Sequence, residues 1–325
     1  VLVWSARRVV VWDVASGQSL RILRHDGVVR RARVLPKSGH IAVRLVDGRV
    51  VIWDAGSGAA VSRFGERWHL SGPTSGFLAA QLEVFPSGER LLTYGRESWA
   101  TVWEVATGSS LSELRGEHEV AIIHGAVFPD NWRVVTGGFD ETVVIWSVSE
   151  GRALHRLPHP HLTGLAVVAG GDAVVTTGHD STAMWCADSG ERLREWLGSA
   201  SSARPFLWDA RVALISSVMV RVVDSSSGEK LAELNHWPSP IDVVDVSTGG
   251  DLIVSRACGQ LRIWDAASGE LLRQFEEAMM SDWLSLEEVL DESLDIGLST
   301  ALDPLGFGRG LRWSELPGPT PAARP

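Results

Sequence analysis

Seven twelve-residue stretches of this chain superimpose without a gap: VVVWDVASGQSL, VVIWDAGSGAAV, ATVWEVATGSSL, VVIWSVSEGRAL, TAMWCADSGERL, VRVVDSSSGEKL and LRIWDAASGELL. Their turn glycines, Gly17, Gly58, Gly108, Gly151, Gly190, Gly228 and Gly269, follow one another at intervals of 41, 50, 43, 39, 38 and 41 residues. Such self-similarity restricts the chain to a repeat architecture in which each copy is one supersecondary unit. Within a copy, β-branched and aromatic residues form a strand, a Ser/Thr-Gly or Glu-Gly pair makes a tight turn, and a second strand such as SLRILR or KLAELN returns. Upstream of most copies lie two more short strands separated by turn residues, as in AVFPDNWRVVTGG over 126–138. Four antiparallel strands cannot bury both of their apolar faces alone, so the units are expected to stack face to face in an all-β fold.

The repeat accounts for an uneven composition. The chain has 15 Trp against one Tyr and eight Phe, and Trp12, Trp53, Trp103, Trp146, Trp185 and Trp264 fill one repeated strand position, with Trp313 a candidate seventh. With 325 residues, 45% of them apolar, and two cysteines, the chain can bury a core without disulfide staples, which excludes a small secreted disulfide scaffold. Its formal charge is −10, from 40 acidic and 30 basic side chains, the wrong balance for a domain that grips nucleic acid by its phosphates. The longest apolar candidate, over 212–223, falls short of the roughly 20 residues a membrane span needs and is broken by Arg221. The opening run VLVWSARRVV is not expected to be a signal peptide. The expectation is a cytoplasmic protein, away from membranes, with Cys186 and Cys258 reduced. The chain opens without Met on a strand-like run, which reads as one domain of a larger multidomain chain.

These residues resemble the tryptophan-aspartate (WD) repeat β-propellers. The dipeptide stands at Trp12-Asp13, Trp53-Asp54 and Trp264-Asp265, and drifts to Trp103-Glu104, Trp146-Ser147, Trp185-Cys186 and Val223-Asp224. The resemblance covers residues 1–278 and implies seven blades of four antiparallel strands, with eight as the alternative. It also implies a buried network in each blade: a His before the inner strand, a Ser/Thr on the second strand, an Asp in the next turn and the Trp on the third. By position the fourth repeat has all four, His118, Thr136, Asp140 and Trp146. The second keeps His25, Asp47 and Trp53 but has Val43 in place of the hydroxyl, and the third keeps Thr93 and Trp103 with Glu97 for Asp. In the fifth, Asp180 sits one residue nearer Trp185; the seventh keeps His236 and Trp264 without the Asp; the sixth lacks even the Trp. Partial sets are expected to be weaker glue.

The first repeat begins at its second strand, VLVWSA, so the first blade is expected to be incomplete at its N-terminus. GRGLRWSEL, over 308–316, resembles the Trp-bearing strand GQLRIWDA and is a candidate either to close the ring on the first blade or to start an eighth. Residues 279–325 hold eight acids against three arginines, half of the net charge. Ser285 with Glu288 fits a capping box, and Leu286, Val289, Leu290 and Leu294 share a helical face that packs on the propeller or docks a partner. The tail PGPTPAARP reads as disordered.

The search for chemistry yields weak candidates. His155, His159 and His161 in HRLPHPH have the density of a metal site, but the segment lies where the resemblance places a structural His, so no metal or cofactor is expected. Ser227-Gly228-Glu229-Lys230 has the Ser-x-x-Lys spacing of an acyl-enzyme nucleophile, yet it occupies the common hairpin turn. Quinoprotein dehydrogenases, the enzyme alternative beside a central-channel hydrolase, also carry an Asp-x-x-Ser/Thr-Gly turn, but there Trp follows the glycine, whereas here it precedes the Asp. A binding face is more legible. The narrow face of the resembling propellers commonly binds peptides, and here it would present Trp68, Arg96, Trp99, Phe139, Glu141 and His179, unless Trp99 and Phe139 lean back on neighbouring blades. Arg30, Arg31 and Arg33 read as a solvated strand edge. The expectation is therefore a non-enzymatic, monomeric scaffold that takes a protein or peptide partner on that face.

Overall fold

The computed structural model describes residues 2–5, 7–13, 18–65, 81–206, 210–247 and 249–276. Within them 27 strands form seven antiparallel sheets, I to VII in chain order, and the one helix is a 3-10 turn at Ala169–Gly171. Sheet I has three strands, Leu2–Ser5, Arg8–Asp13 and Gln18–Arg24, and each of the others has four. Sheet IV is representative, with Ile122–Val127, Arg133–Gly138, Thr142–Ser147 and Arg152–Pro158 following one another as a meander. Sheets II, III, V, VI and VII span 29–64, 81–114, 162–197, 202–235 and 241–276. No ladder joins one sheet to another among the described residues. The closing-strand candidate at 308–316, the acidic helix and tail, Trp68 and Trp313 lie outside the described residues.

Continuous apolar runs in the second and third strands follow from burial on both faces. In sheet IV, Val134, Val144 and Trp146 enter a cluster shared with sheet III, whereas Val135, Val143 and Ile145 enter one shared with sheet V. The period of two thus splits one run between two cores. Six buried apolar clusters fill the six contacts between consecutive sheets. First strands of successive sheets adjoin from sheet II through sheet VII, giving a propeller-like stack. No helix among the described residues is long and apolar enough to cross a membrane.

The repeated Asp acts in the turn. Asp54 Oδ1 accepts from the Ser57 amide and hydroxyl, both at 2.6 Å, and Asp265 Oδ1 accepts from those of Ser268 at 2.7 and 2.8 Å. The following glycine donates back to the Asp carbonyl with a positive φ, 72° at Gly58 and 74° at Gly269, a conformation that L side chains resist. Hydrogen bonds to the charged form hold the Asp54, Asp224 and Asp265 carboxyls below their ordinary range, Asp224 at about 2.

Two rows of polar clasps stitch the sheets together. On three outer strands, the residue four after the turn glycine reaches the carbonyl two before the next turn glycine: Arg21 to Gly56 (2.9 Å), His155 to Asp188 (2.8 Å) and Arg194 to Ser226. At the same end, the arginine opening the second strand also reaches the next sheet, Arg133 to Gly171 (3.2 Å) and Arg211 to Gly250 (2.7 Å).

Candidate functional site

Sheet IV carries the full buried network. The Asp140 carboxylate accepts from the Glu119 amide (2.9 Å) and lies 3.2 Å from His118 Nδ1. A carboxylate can only accept, so the imidazole proton sits on Nδ1 and Nε2 takes the Thr136 hydroxyl proton (2.8 Å). Trp146 Nε1 donates to Thr136 Oγ1 at 2.7 Å, completing the chain. Burial lowers the His118 pKa, and the hydrogen bond and charge of Asp140 oppose that shift.

The other sheets depart from this set in ways the sequence only partly shows. Sheet V, read as eroded, has three members in contact: Trp185 Nε1 donates to Thr176 Oγ1 (2.8 Å), which meets His159 Nδ1 at 2.9 Å. In sheet VII, Trp264 donates to Ser255 (2.8 Å) and Arg262 stands in for the missing Asp, donating to His236 Nδ1 at 3.2 Å. Sheet III keeps the Trp103 to Thr93 bond (2.7 Å). Sheet II differs most from the expectation. Its Asp47 carboxylate is gripped by Arg49 (2.9 Å), whose other arm holds Asp26 (2.7 Å), because a charged fork two residues away competes strongly for a carboxylate. The His25 ring stands edge-on to Trp53, with His25 Nε2 and Trp53 Nε1 both buried and without a hydrogen-bond partner.

Burial depresses three further imidazoles, His25, His124 and His236, to about 4. The unfolded chain takes up these protons near the ordinary value of 6.5, the folded one only near 4. Stability should therefore be flat above pH 6.5 and fall as pH drops from 6.5 towards 4. Thermal melts across that window test this, and His124→Gln should flatten the slope; a slope identical to the parent's would refute the assignment.

The loops joining second to third strands, and those entering each sheet, gather at one end of the stack. There the turn of one sheet accepts an amide from the entry of the next: Glu97 from Ile122, Glu141 from His159 and Gly178 from Ala200, each at 3.1 Å, and Ser217 from Ile241 at 2.7 Å. Arg96 is exposed on this end. Trp99 is half-buried, with the Arg115 guanidinium 4.0 Å from its ring centre. With the buried Arg44, whose pKa falls to about 9 through desolvation, Trp99 and Arg115 line a cavity of about 50 Å³. Phe139 stays 56% exposed and does not lean back. Glu141 lies 3.3 Å from His161, whose ring is 6.2 Å from that of His179, so sheets IV and V bring these two expected residues together around His161. Residues not singled out beforehand add apolar area at this end: Leu197 (84% exposed), Trp237 (75%), Val28 and Val120. Trp-Pro in a short connection was the only sequence signal for any of them.

The three histidines of HRLPHPH diverge, His155 to the Asp188 carbonyl, His159 to Thr176 and His161 to Glu141. Among the described residues no three His, Cys, Asp or Glu gather as metal ligands. Lys230 turns to Glu233 (2.9 Å), and Ser227 accepts the Glu229 amide. The expected solvated edge is also corrected. Arg31 donates to Gln81 (2.7 Å) and pairs with Glu83 (2.9 Å), and Arg33 is half-buried, because the first strand faces the next sheet instead of solvent.

No protein-family model and no curated protein matches the chain. Solved structures do, 1742 chains in all. One is the crystal structure of the computationally designed Ika8 protein, with a TM-score of 0.70 and 23% identity over 83% of this chain and 81% of that one. Likeness at that identity concerns the fold, and so widely shared an architecture leaves function to the site.

Proposed function

We propose that the chain is a seven-bladed WD-repeat propeller that works as a non-enzymatic scaffold, binding a protein or peptide partner on the braced loop end. The carrying observation is that four consecutive turns are tied by main-chain hydrogen bonds to the next sheet while Phe139, Leu197 and Trp237 stay exposed beside them. Loops already ordered lose little freedom on binding, and exposed aromatics on a rigid frame make effective anchors. Ring closure is supported by Arg204 of sheet VI, which lies near enough to Arg33 of sheet II to lower its pKa although three sheets intervene in the chain. First strands that surround a narrow axis meet in that way.

The test is an affinity pull-down with the parent chain and a Phe139→Ser, Leu197→Ser, Trp237→Ser variant. All three side chains are exposed, so the variant should melt within a few degrees of the parent and lose the proteins the parent recovers. Equal recovery by a folded variant would sink the placement.

A further inference from the structure

Sheets II and III pack through Ala42 and Leu91, which enter one apolar cluster. Two residues further along the same second strands, on the same faces, stand Arg44 and Thr93, and there the apolar packing gives way to the cavity of about 50 Å³. Both side chains are buried, at 3% and 4% exposure. Trp103 lines the cavity with Thr93, and these two are the counterparts of Trp146 and Thr136, which hold His118 in sheet IV. There the Thr136 hydroxyl gives its proton to the imidazole at 2.8 Å. In sheet III the Thr93 hydroxyl accepts from Trp103 Nε1 at 2.7 Å, but among the described residues its own proton has the Thr101 carbonyl at 3.5 Å, longer than an ordinary O–H···O bond. Arg44 Nε is buried and makes no hydrogen bond, and desolvation is the largest influence on the pKa of this guanidinium. Two acids also line the cavity: Glu113 is paired with Arg115 at 2.7 Å, and Glu97 is half-buried in the adjoining loop. At roughly 10–15 Å³ for each water-sized occupant, the space admits about four heavy atoms, the size of an acetate ion. Planar paired oxygens of that size suit a guanidinium and a hydroxyl that both donate.

We propose that this cavity binds a carboxylate group, seated between the Arg44 guanidinium and the Thr93 hydroxyl with Trp99 as a wall. The carboxylate accepts both protons and so takes, in sheet III, the acceptor role that the His118 imidazole has in sheet IV. A small free acid and the aspartate or glutamate side chain of a peptide share this chemistry. None of Phe139, Leu197 and Trp237 lines the cavity, so the site stands or falls independently of the partner face proposed above.

The experiment follows the tryptophan indole N–H signals of the isotope-labelled full chain by NMR. Sodium acetate replaces sodium chloride at constant ionic strength, and hexaglutamate peptide is titrated separately under the same conditions. The Trp99 and Trp103 signals, identified by single substitutions to Phe, should shift saturably with at least one probe, and the probe that saturates at the lower carboxylate concentration identifies the source. Arg44→Gln should weaken that binding about tenfold or more, because a charged donor is lost from the seat. Glu97→Gln removes a like charge from the wall and should tighten binding about threefold. Glu97 is not part of the seat, so this second variant decides the matter if Arg44→Gln fails to fold. A parent whose Trp99 and Trp103 signals respond to neither probe, an Arg44→Gln variant that binds like the parent, or a Glu97→Gln variant that binds more weakly overturns the proposal.

Discussion

Thr136→Val should cost about 3 kcal/mol of stability, while Val43→Thr should gain about 1 kcal/mol, although the two substitutions exchange the same groups at equivalent positions. Thr136 sits ten residues before Trp146, as Val43 does before Trp53, and both positions are fully buried. Removing the Thr136 hydroxyl leaves the Trp146 N–H and His118 Nε2 buried with nothing to bond, each at roughly 1–3 kcal/mol. In sheet II that cost is already present, since Trp53 Nε1 and His25 Nε2 have no partner there. A hydroxyl at position 43 supplies the missing acceptor for the indole at nearly unchanged volume. Denaturant midpoints at constant m-value measure both changes. Losses in both variants would mean that sheet II cannot seat the hydroxyl and that the gap at Val43 is not the cause of the unpaired groups.

Arg133→Ala should be the most damaging single change at the end of the stack opposite the loops, at about 2–4 kcal/mol. The side chain is only 8% exposed and joins two sheets. It pairs with Asp130 (2.7 Å) and Asp188 (2.6 Å), donates to the Gly171 carbonyl and lies over Phe128 and Trp132, 4.6 and 4.8 Å from their ring centres. Asp188 is largely solvated and contributes little by itself. The loss should come mainly from the Gly171 bond, the apolar stem and Asp130. Arg133→Lys should recover less than half of it, because one ammonium cannot serve three directions. Salt should change the Arg133→Ala deficit only slightly, and a deficit that disappears in high salt would show that the surface pair with Asp188 dominates.

The hairpin repeat was legible because turn chemistry is local. Asp, Ser and Gly within a few residues set the turn, so Asp54 and Asp265 form the same bonds in sheets far apart in the chain. The network was legible in sheet IV, where all four partners keep their spacing. In sheet V one histidine of HRLPHPH was expected in the network without being singled out, and His159 takes that place through its other nitrogen; in sheet II the expected Asp47 is taken by Arg49. The sheet II outcome turns on competition between side chains for one carboxylate, which spacing does not encode. Of the expected binding residues, Trp68 lies outside the described residues, Trp99 is half-sheltered by Arg115, and Glu141 and His179 are drawn together by His161. Leu197 went unnoticed because a leucine at a strand end carries no pattern that separates burial from exposure.

Sequence alone determined the unit: four short strands, a Gly-capped turn, and apolar runs too continuous to leave either face in water. Those properties depend on neighbours a few residues apart. Tertiary structure decided which residues of each unit meet another unit, and therefore where polar groups find partners. Arg31 shows the difference, since nothing in VRRARV says that this arginine will reach a glutamate in the next sheet. Contacts between distant strands exist only after the sheets have assembled, so they follow from assembly instead of from local spacing.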